Sequence, residues 1–379
     1  MPVGVVPLGD PLPKHNTLSM IPSAITLKLL ASPLSVALGI VLVLFGAAPT
    51  FAQFGKNKVQ YRDFDWKFIQ SDNFDVYYYD EEGLNLATFT ANVAELALLS
   101  VEETLQFRLP DRVSIVVYLS KNDFQQTNVV GAYMPEGVGG VTELYKNRIV
   151  VPFEGEWEKF RHVIHHELVH AVLNEKFYGG SVQNLIANNV QVELPIWMNE
   201  GLAEFEAYNG YNRPTDMFVR DAIVGTYFPD LPRLGGYFAY RGGQAFYWYV
   251  ARTYGRKKIG ELLDRLHSGT LDDAFQGAFG KDLNEFSESF LYDLKQEYWP
   301  DIVERDRPRD FAKRLTDHRR EESFMNASPA VSPDGRRVAY ISDREGARSF
   351  FLLDLDGSTT PRLLVEGERN VEFEALHLL

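Results

Sequence analysis

The run from Val163 to His170 holds three histidines and a glutamate, and His166, Glu167 and His170 stand at a spacing suited to metal chemistry. His166 and His170 are four apart, and on an α-helix positions i and i+4 lie one above the other on one face. Their imidazoles can hold one ion without bending the chain. Glu167 points about 100° around the helix from His166, so it reaches a water beside the ion without being a ligand. Metal-assisted hydrolysis needs that division of labour. A pair of hydrogen-bonded core histidines would show the same spacing, and H-E-x-x-H also arises by chance.

The helix around the motif carries an apolar stripe of Trp157, Phe160, Ile164, Leu168 and Ala171, with His166 and His170 nearly opposite. Val163, Val169 and Leu173 flank the histidines, so the helix is apolar almost all round and is expected to be buried. Buried imidazoles and a buried carboxylate need partners, and zinc would supply one. A second stretch follows, Leu194 to Phe205, with Pro195 suited to a helix start. Glu200 and Glu204 again stand at i and i+4. A catalytic zinc site takes three protein donors and an open position; Glu200 would be the third donor. Glu204 could accept a hydrogen bond from a ligand histidine and fix its tautomer. Without the histidine pair, both would read as solvated helix-face carboxylates.

H-E-x-x-H followed about thirty residues later by W-M-N-E-G-L-A-E-F resembles the gluzincin metallopeptidases, the thermolysin-like and aminopeptidase N-like enzymes of peptidase MA type. The resemblance covers roughly residues 60 to 300, most densely 160 to 255. It implies zinc held by His166, His170 and Glu200, with Glu167 as general base and Glu204 and Asn199 supporting the ligands. Tyr240-Arg241-Gly242-Gly243 is similar to the Tyr-x-x-Gly opening of a later helix in the aminopeptidase N-like enzymes. That similarity implies Tyr240 as the oxyanion donor, with Tyr237 as its substitute; a phenol can donate to a developing negative charge. Most aromatics of this segment, Phe246 and Tyr247 among them, read equally as core. In gluzincins a strand before the metal helix borders the cleft and pairs with extended substrate, a general peptide-binding mode; Val141–Glu143 or Arg148–Val151 would serve. Gly139-Gly140-Val141-Thr142-Glu143 departs from the G-A-M-E-N signature of the aminopeptidases.

These helices need a scaffold. At 379 residues there is room for two or three domains, and 45% hydrophobic content indicates a folded chain. A net charge of −14 argues against nucleic acid as a partner. There is no cysteine, so burial alone must hold the fold. Residues 1–52 have the layout of a signal peptide, an apolar run and then small residues before Gln53; the competing reading is an uncleaved membrane anchor. The first residues before Met20 are proline-rich, and Met20 is a second candidate start. Residues 53–156 read as mixed α and β. Strands are expected where Phe64, Trp66 and Phe68 alternate, where Phe74, Val76 and Tyr78 alternate, and at Val113–Tyr118 and Arg148–Val151; Leu84–Phe107 has helical period. Residues 157–299 read as helical, with further helices over 258–267, 271–279 and 283–298. Residues 300–322 read as a linker.

Residues 323–379 change character. Ser328 to Arg344 resembles a TolB-type β-propeller repeat, with Asp334-Gly335 as a hairpin turn, strands at Val338–Ser342 and Phe350–Leu355, and another turn at Asp356-Gly357. Blades need neighbours to bury both faces, so a longer architecture is expected; an ordinary β-hairpin appendage would look similar. The expected fold class is α+β, a gluzincin-like catalytic domain with a mixed-sheet part and a helical part, plus a fragment of an all-β propeller. The expected function is a zinc-dependent metallopeptidase acting on peptide or protein outside the cytoplasm, periplasmic or at the cell surface. It would meet a membrane only through an uncleaved anchor, and a protein partner through the propeller. The alternative is a non-catalytic envelope scaffold with a structural zinc site.

Overall fold

The computed structural model describes residues 61–129, 137–144, 146–179, 194–267, 269–306, 308–355 and 360–367. The segment read as a signal peptide and the turn at Asp356-Gly357 lie outside them. The first half is a five-stranded mixed sheet of β1 Lys67–Gln70, β2 Phe74–Tyr78, β3 Val113–Tyr118, β4 Val141–Glu143 and β5 Arg148–Pro152. Their order is β1-β2-β3-β5-β4, with β2, β3 and β5 parallel and both outer strands antiparallel. The strand expected from Phe64 begins only at Lys67. Phe64 and Trp66 instead pack their rings against Tyr79 and Tyr118.

Alternation decides which face each strand residue serves. In β5, Ile149 and Val151 join the main core while Val150 faces a smaller cluster with Tyr79, Tyr118 and Phe124. Helix α1, Gly83–Leu105, covers the first face with Leu86, Ala91, Leu98 and Val101. A short α2, Lys121–Gln125, follows β3, its start capped by Ser120 accepting from the Asp123 amide.

The second half is helical. Helix α3 runs Trp157–Tyr178 and ends at Gly179, whose positive φ lets its N–H close back on Asn174 and Glu175. Helix α4 is Ile196–Ala207, begun by Pro195. Then come α5 Arg213–Val224, a 3₁₀ turn, α6 Tyr237–Tyr254, α7 Lys257–Arg265, α8 Leu271–Phe279 and α9 Leu283–Tyr298. Helices α8 and α9 each open on a capping box, Thr270 with Asp273 and Asp282 with Glu285. Helices α4 and α6 meet backbone to backbone. A Cβ built on Gly201 would lie 2.4 Å from the Gly243 Cα, and one on Gly243 would lie 2.2 Å from the Trp197 carbonyl oxygen. Only glycine at both positions permits this crossing. Glu206, fully buried on α4, is neutralised by Arg256 at 2.7 Å from each oxygen and accepts from Ser100 of α1.

Residues 300–322, expected as a linker, contain the short helices α10 Pro300–Glu304, α11 Pro308–Phe311 and α12 His318–Glu321. Beyond them β6 Asn326–Val331, β7 Arg337–Ser342, β8 Ser349–Asp354 and β9 Arg362–Val365 form one antiparallel sheet in sequential order. Its own small cluster is Tyr340, Phe351, Leu353 and Leu363. A propeller is not shown: among the described residues this region is a single four-stranded sheet. The turn at Asp334-Gly335 is as expected, with Gly335 at φ 71°.

Candidate metal centre

Helix α3 is apolar on the side facing the sheet, where Phe160, Ile164, Leu168 and Ala171 are buried. Trp157, expected in that stripe, is 45% exposed at the helix start. The opposite side presents His162, His166 and His170 to a cleft of about 580 Å³. Glu200 and Glu204 of α4 enter from one side, and Tyr240 from the first turn of α6. Gly137–Thr142 forms the other wall.

Three atoms converge. His166 Nε2 and His170 Nε2 are 3.1 Å apart, and Glu200 Oε2 is 3.2 and 3.5 Å from them. A tetrahedral ion with bonds of about 2.0–2.1 Å has ligand–ligand edges of about 3.3–3.4 Å. The three observed edges match, so these donors fit zinc. The remaining ring nitrogens are held from behind. His170 Nδ1 lies 3.1 Å from Asn199 Oδ1, an acceptor, so the proton sits on Nδ1 and the Nε2 lone pair faces the cleft. His166 Nδ1 lies 3.3 Å from Glu204 Oε1, within ion-pair reach but outside hydrogen-bond geometry.

The electrostatics favour a cation at this point. Burial opposes charge on His166, yet Glu200 and Glu204 outweigh it and raise its pKa to about 10. Burial likewise works to raise Glu200, but His166 and His170 bring it down to about 2. Glu204 is lowered for the same reason by His162 and His166. The carboxylates of Glu200, Glu204 and Glu167 thus make the surroundings of this point negative, which a bound cation would offset.

Glu167 lies on the same helix but is turned to the other wall. Its Oε2 accepts from Thr142 Oγ1 at 2.7 Å, and the same hydroxyl lies 2.9 Å from the Glu167 carbonyl oxygen. A Cβ at Gly140 would come within 2.9 Å of the Glu167 Cγ, so a glycine is needed where the wall touches this side chain. Tyr240 lines the cleft with its ring nearly parallel to that of His166, centroids 6.5 Å apart. Burial, then the nearby carboxylates of Glu200, Glu204 and Glu167, push its phenol up to about 12, so it stays a donor at neutral pH. Tyr237, the substitute, is about half exposed, accepts from Arg241 Nε at 2.9 Å and is absent from the cleft lining.

Three contributors were not assigned roles from the sequence. His162 Nε2 lies 3.3 Å from the same Glu204 oxygen that faces His166. Its signal was present, since His162 precedes His166 by four residues. Arg241 donates to Glu204 Oε2 at 3.0 Å and is itself fixed by Thr215 and Tyr237. Thr142 has no local signal; it reaches Glu167 from a strand far away in sequence. His165, next to His166, lines a separate pocket with Ser100, Arg161 and Glu206, where burial lowers its pKa to about 4. The two strands proposed for substrate are also distinguished: β4 lies at the sheet edge, whereas β5 is enclosed between β3 and β4.

A mixed sheet is followed by helices, and the H-E-x-x-H helix faces a second, carboxylate-bearing helix at the cleft. The family model described as the peptidase MA superfamily matches residues 93–295, more than half of the chain, and the chain belongs to that superfamily. The matched span holds β3 to β5, every candidate site residue and most of the helical half. No curated protein matches the chain.

Proposed function

We propose that this chain is a zinc-dependent metallopeptidase hydrolysing peptide bonds outside the cytoplasm. The observation that carries the reading is the 3.1–3.5 Å triangle of His166, His170 and Glu200 donors with Glu167 beside it and not part of it. Membership of the peptidase MA superfamily supports the same chemistry. His166, His170 and Glu200 would hold the ion, which when bound supplies Lewis acidity toward a carbonyl and acidifies water.

The chain's own groups do the rest. Glu167 accepts the proton of the attacking water and passes it to the departing amine. Thr142 holds the carboxylate in position for both transfers. Tyr240 donates its hydroxyl proton to the carbonyl oxygen as negative charge develops there. Asn199 and Glu204 keep the two imidazoles in the tautomer that offers Nε2. Among the described residues β4 is the outer strand of the sheet, and Val141 and Thr142 line the cleft, which suits an extended substrate strand. The extracytoplasmic placement rests on the signal-peptide pattern of residues 1–52. The sheet β6–β9 has the strand count and order of one propeller blade, which supports a role for it in contacting a protein partner.

The test is hydrolysis of an unstructured protein such as casein by the zinc-loaded chain. Activity is lost on chelation and restored by zinc. Glu167→Gln retains zinc and loses activity. Normal cleavage by Glu167→Gln would remove this mechanism. A fourth protein ligand in a metal-bound structure would support the scaffold alternative, because a structural site leaves no open position.

A further inference from the structure

We propose that the cleft is built to cut within a polypeptide and not to remove residues from a free amino terminus; this rests on the peptidase reading above. An enzyme that trims amino termini must desolvate the substrate α-ammonium one residue from the scissile bond. A cation taken from water needs an uncommitted carboxylate close by, or binding is lost. Among the described residues, the carboxylates lining the cleft are Glu167, Glu200 and Glu204. Each is already engaged. Glu200 faces the two imidazole nitrogens. Glu204 has one oxygen between His162 and His166 and the other on Arg241. Glu167 accepts from Thr142, and an ammonium held against it would occupy the base.

Among the described residues of this wall and its strand, the remaining carboxylate is Glu143, at the end of β4. It sits across the ladder from Arg148, whose Nε donates to its Oε1 at 2.6 Å. The Glu143 side chain is 8% exposed and is not part of the cleft lining. Its charge is therefore neutralised inside the sheet and is not offered to substrate.

What the wall does offer is backbone. Strand β4 pairs with β5 on one side and ends the sheet on the other, while Val141 and Thr142 line the cleft. Edge N–H and C=O groups satisfy the amides of an extended chain on both sides of a scissile bond. A neutral peptide group fits there in register; an ammonium does not.

The experiment uses the full chain loaded with zinc and two short peptides of one sequence, one with a free amino terminus and one N-acetylated. Products are identified by mass spectrometry. Binding of both peptides to zinc-loaded Glu167→Gln is followed by fluorescence anisotropy. Expected is internal cleavage of both, with the acetylated peptide at least equal in kcat/KM and in affinity. Stepwise release of single residues from the free peptide, with a loss of about 100-fold or more on acetylation, would overturn the inference and leave the peptidase reading standing. So would a free-amine peptide binding about tenfold tighter than the acetylated one. If neither peptide is cut and neither binds, the peptidase reading fails and this inference fails with it.

Discussion

In the proposed mechanism a single hydroxyl, that of Thr142, positions Glu167 as the base. Glu167→Gln preserves shape and the Thr142 contact but cannot accept a proton. The expected result is a fall in kcat of roughly 10²–10⁴-fold, with bound zinc unchanged by elemental analysis. Thr142→Val keeps the carboxylate and removes the hydroxyl that orients it. Its expected cost is smaller, about tenfold in kcat with KM little altered, because only positioning is lost. Glu204 acts through His166, which it holds at 3.3 Å while Arg241 holds it in turn. Glu204→Gln should weaken zinc binding by about 10–100-fold in a competition titration. Activity at saturating zinc should recover much of the loss, which a direct ligand change such as His170→Ala would not allow.

At the scale of elements, the site depends on two helices crossing at contact distance. Gly201 lies next to Glu200 in sequence and against Gly243, three residues from Tyr240. Any side chain here pushes α4 away from α6 and shifts Glu200 relative to α3. Gly201→Ala is therefore expected to cost at least about 1–3 kcal/mol in stability, seen as a lower thermal midpoint. Zinc affinity should fall in the same variant, although no ligand has changed. An exposed control such as Gly280→Ala, at a helix end with φ 72°, should lower stability without touching zinc affinity. The helices themselves were readable beforehand. Leu271–Phe279 and Leu283–Tyr298 have the expected bounds because Thr270, Asp282 and Gly280 mark their ends. The first strand was not, because Phe64 and Trp66 alternate like strand residues yet serve an aromatic cluster.

For the whole molecule, zinc at about 100 times its Kd should add about 2.7 kcal/mol of stability, since the unfolded chain does not assemble the three ligands. Chelation should lower the thermal midpoint, and His166→Ala should abolish that difference. The sheet β6–β9 has its own small cluster, distinct from the core that unites the mixed sheet and the helices. A chain ending after α11 should therefore keep zinc affinity within about twofold, with its helical circular dichroism intact. A large loss would mean that the last sheet supports the cleft.

The cluster of His166, His170 and Glu200 was legible in the linear chain because helical spacing alone aligns His166 with His170 and Glu200 with Glu204. Two helices rich in buried residues had few ways to satisfy those groups except by facing one another. The expected site residues other than Tyr237 all lie at the cleft or directly behind a ligand. Other relationships needed the folded chain. Which wall meets Glu167, that Glu143 is spent on Arg148, that His165 turns away while His162 shares Glu204, and that β4 rather than β5 is the free edge are all long-range facts. They depend on strand order and on where glycines let backbones touch, and neither leaves a periodic trace along a sequence.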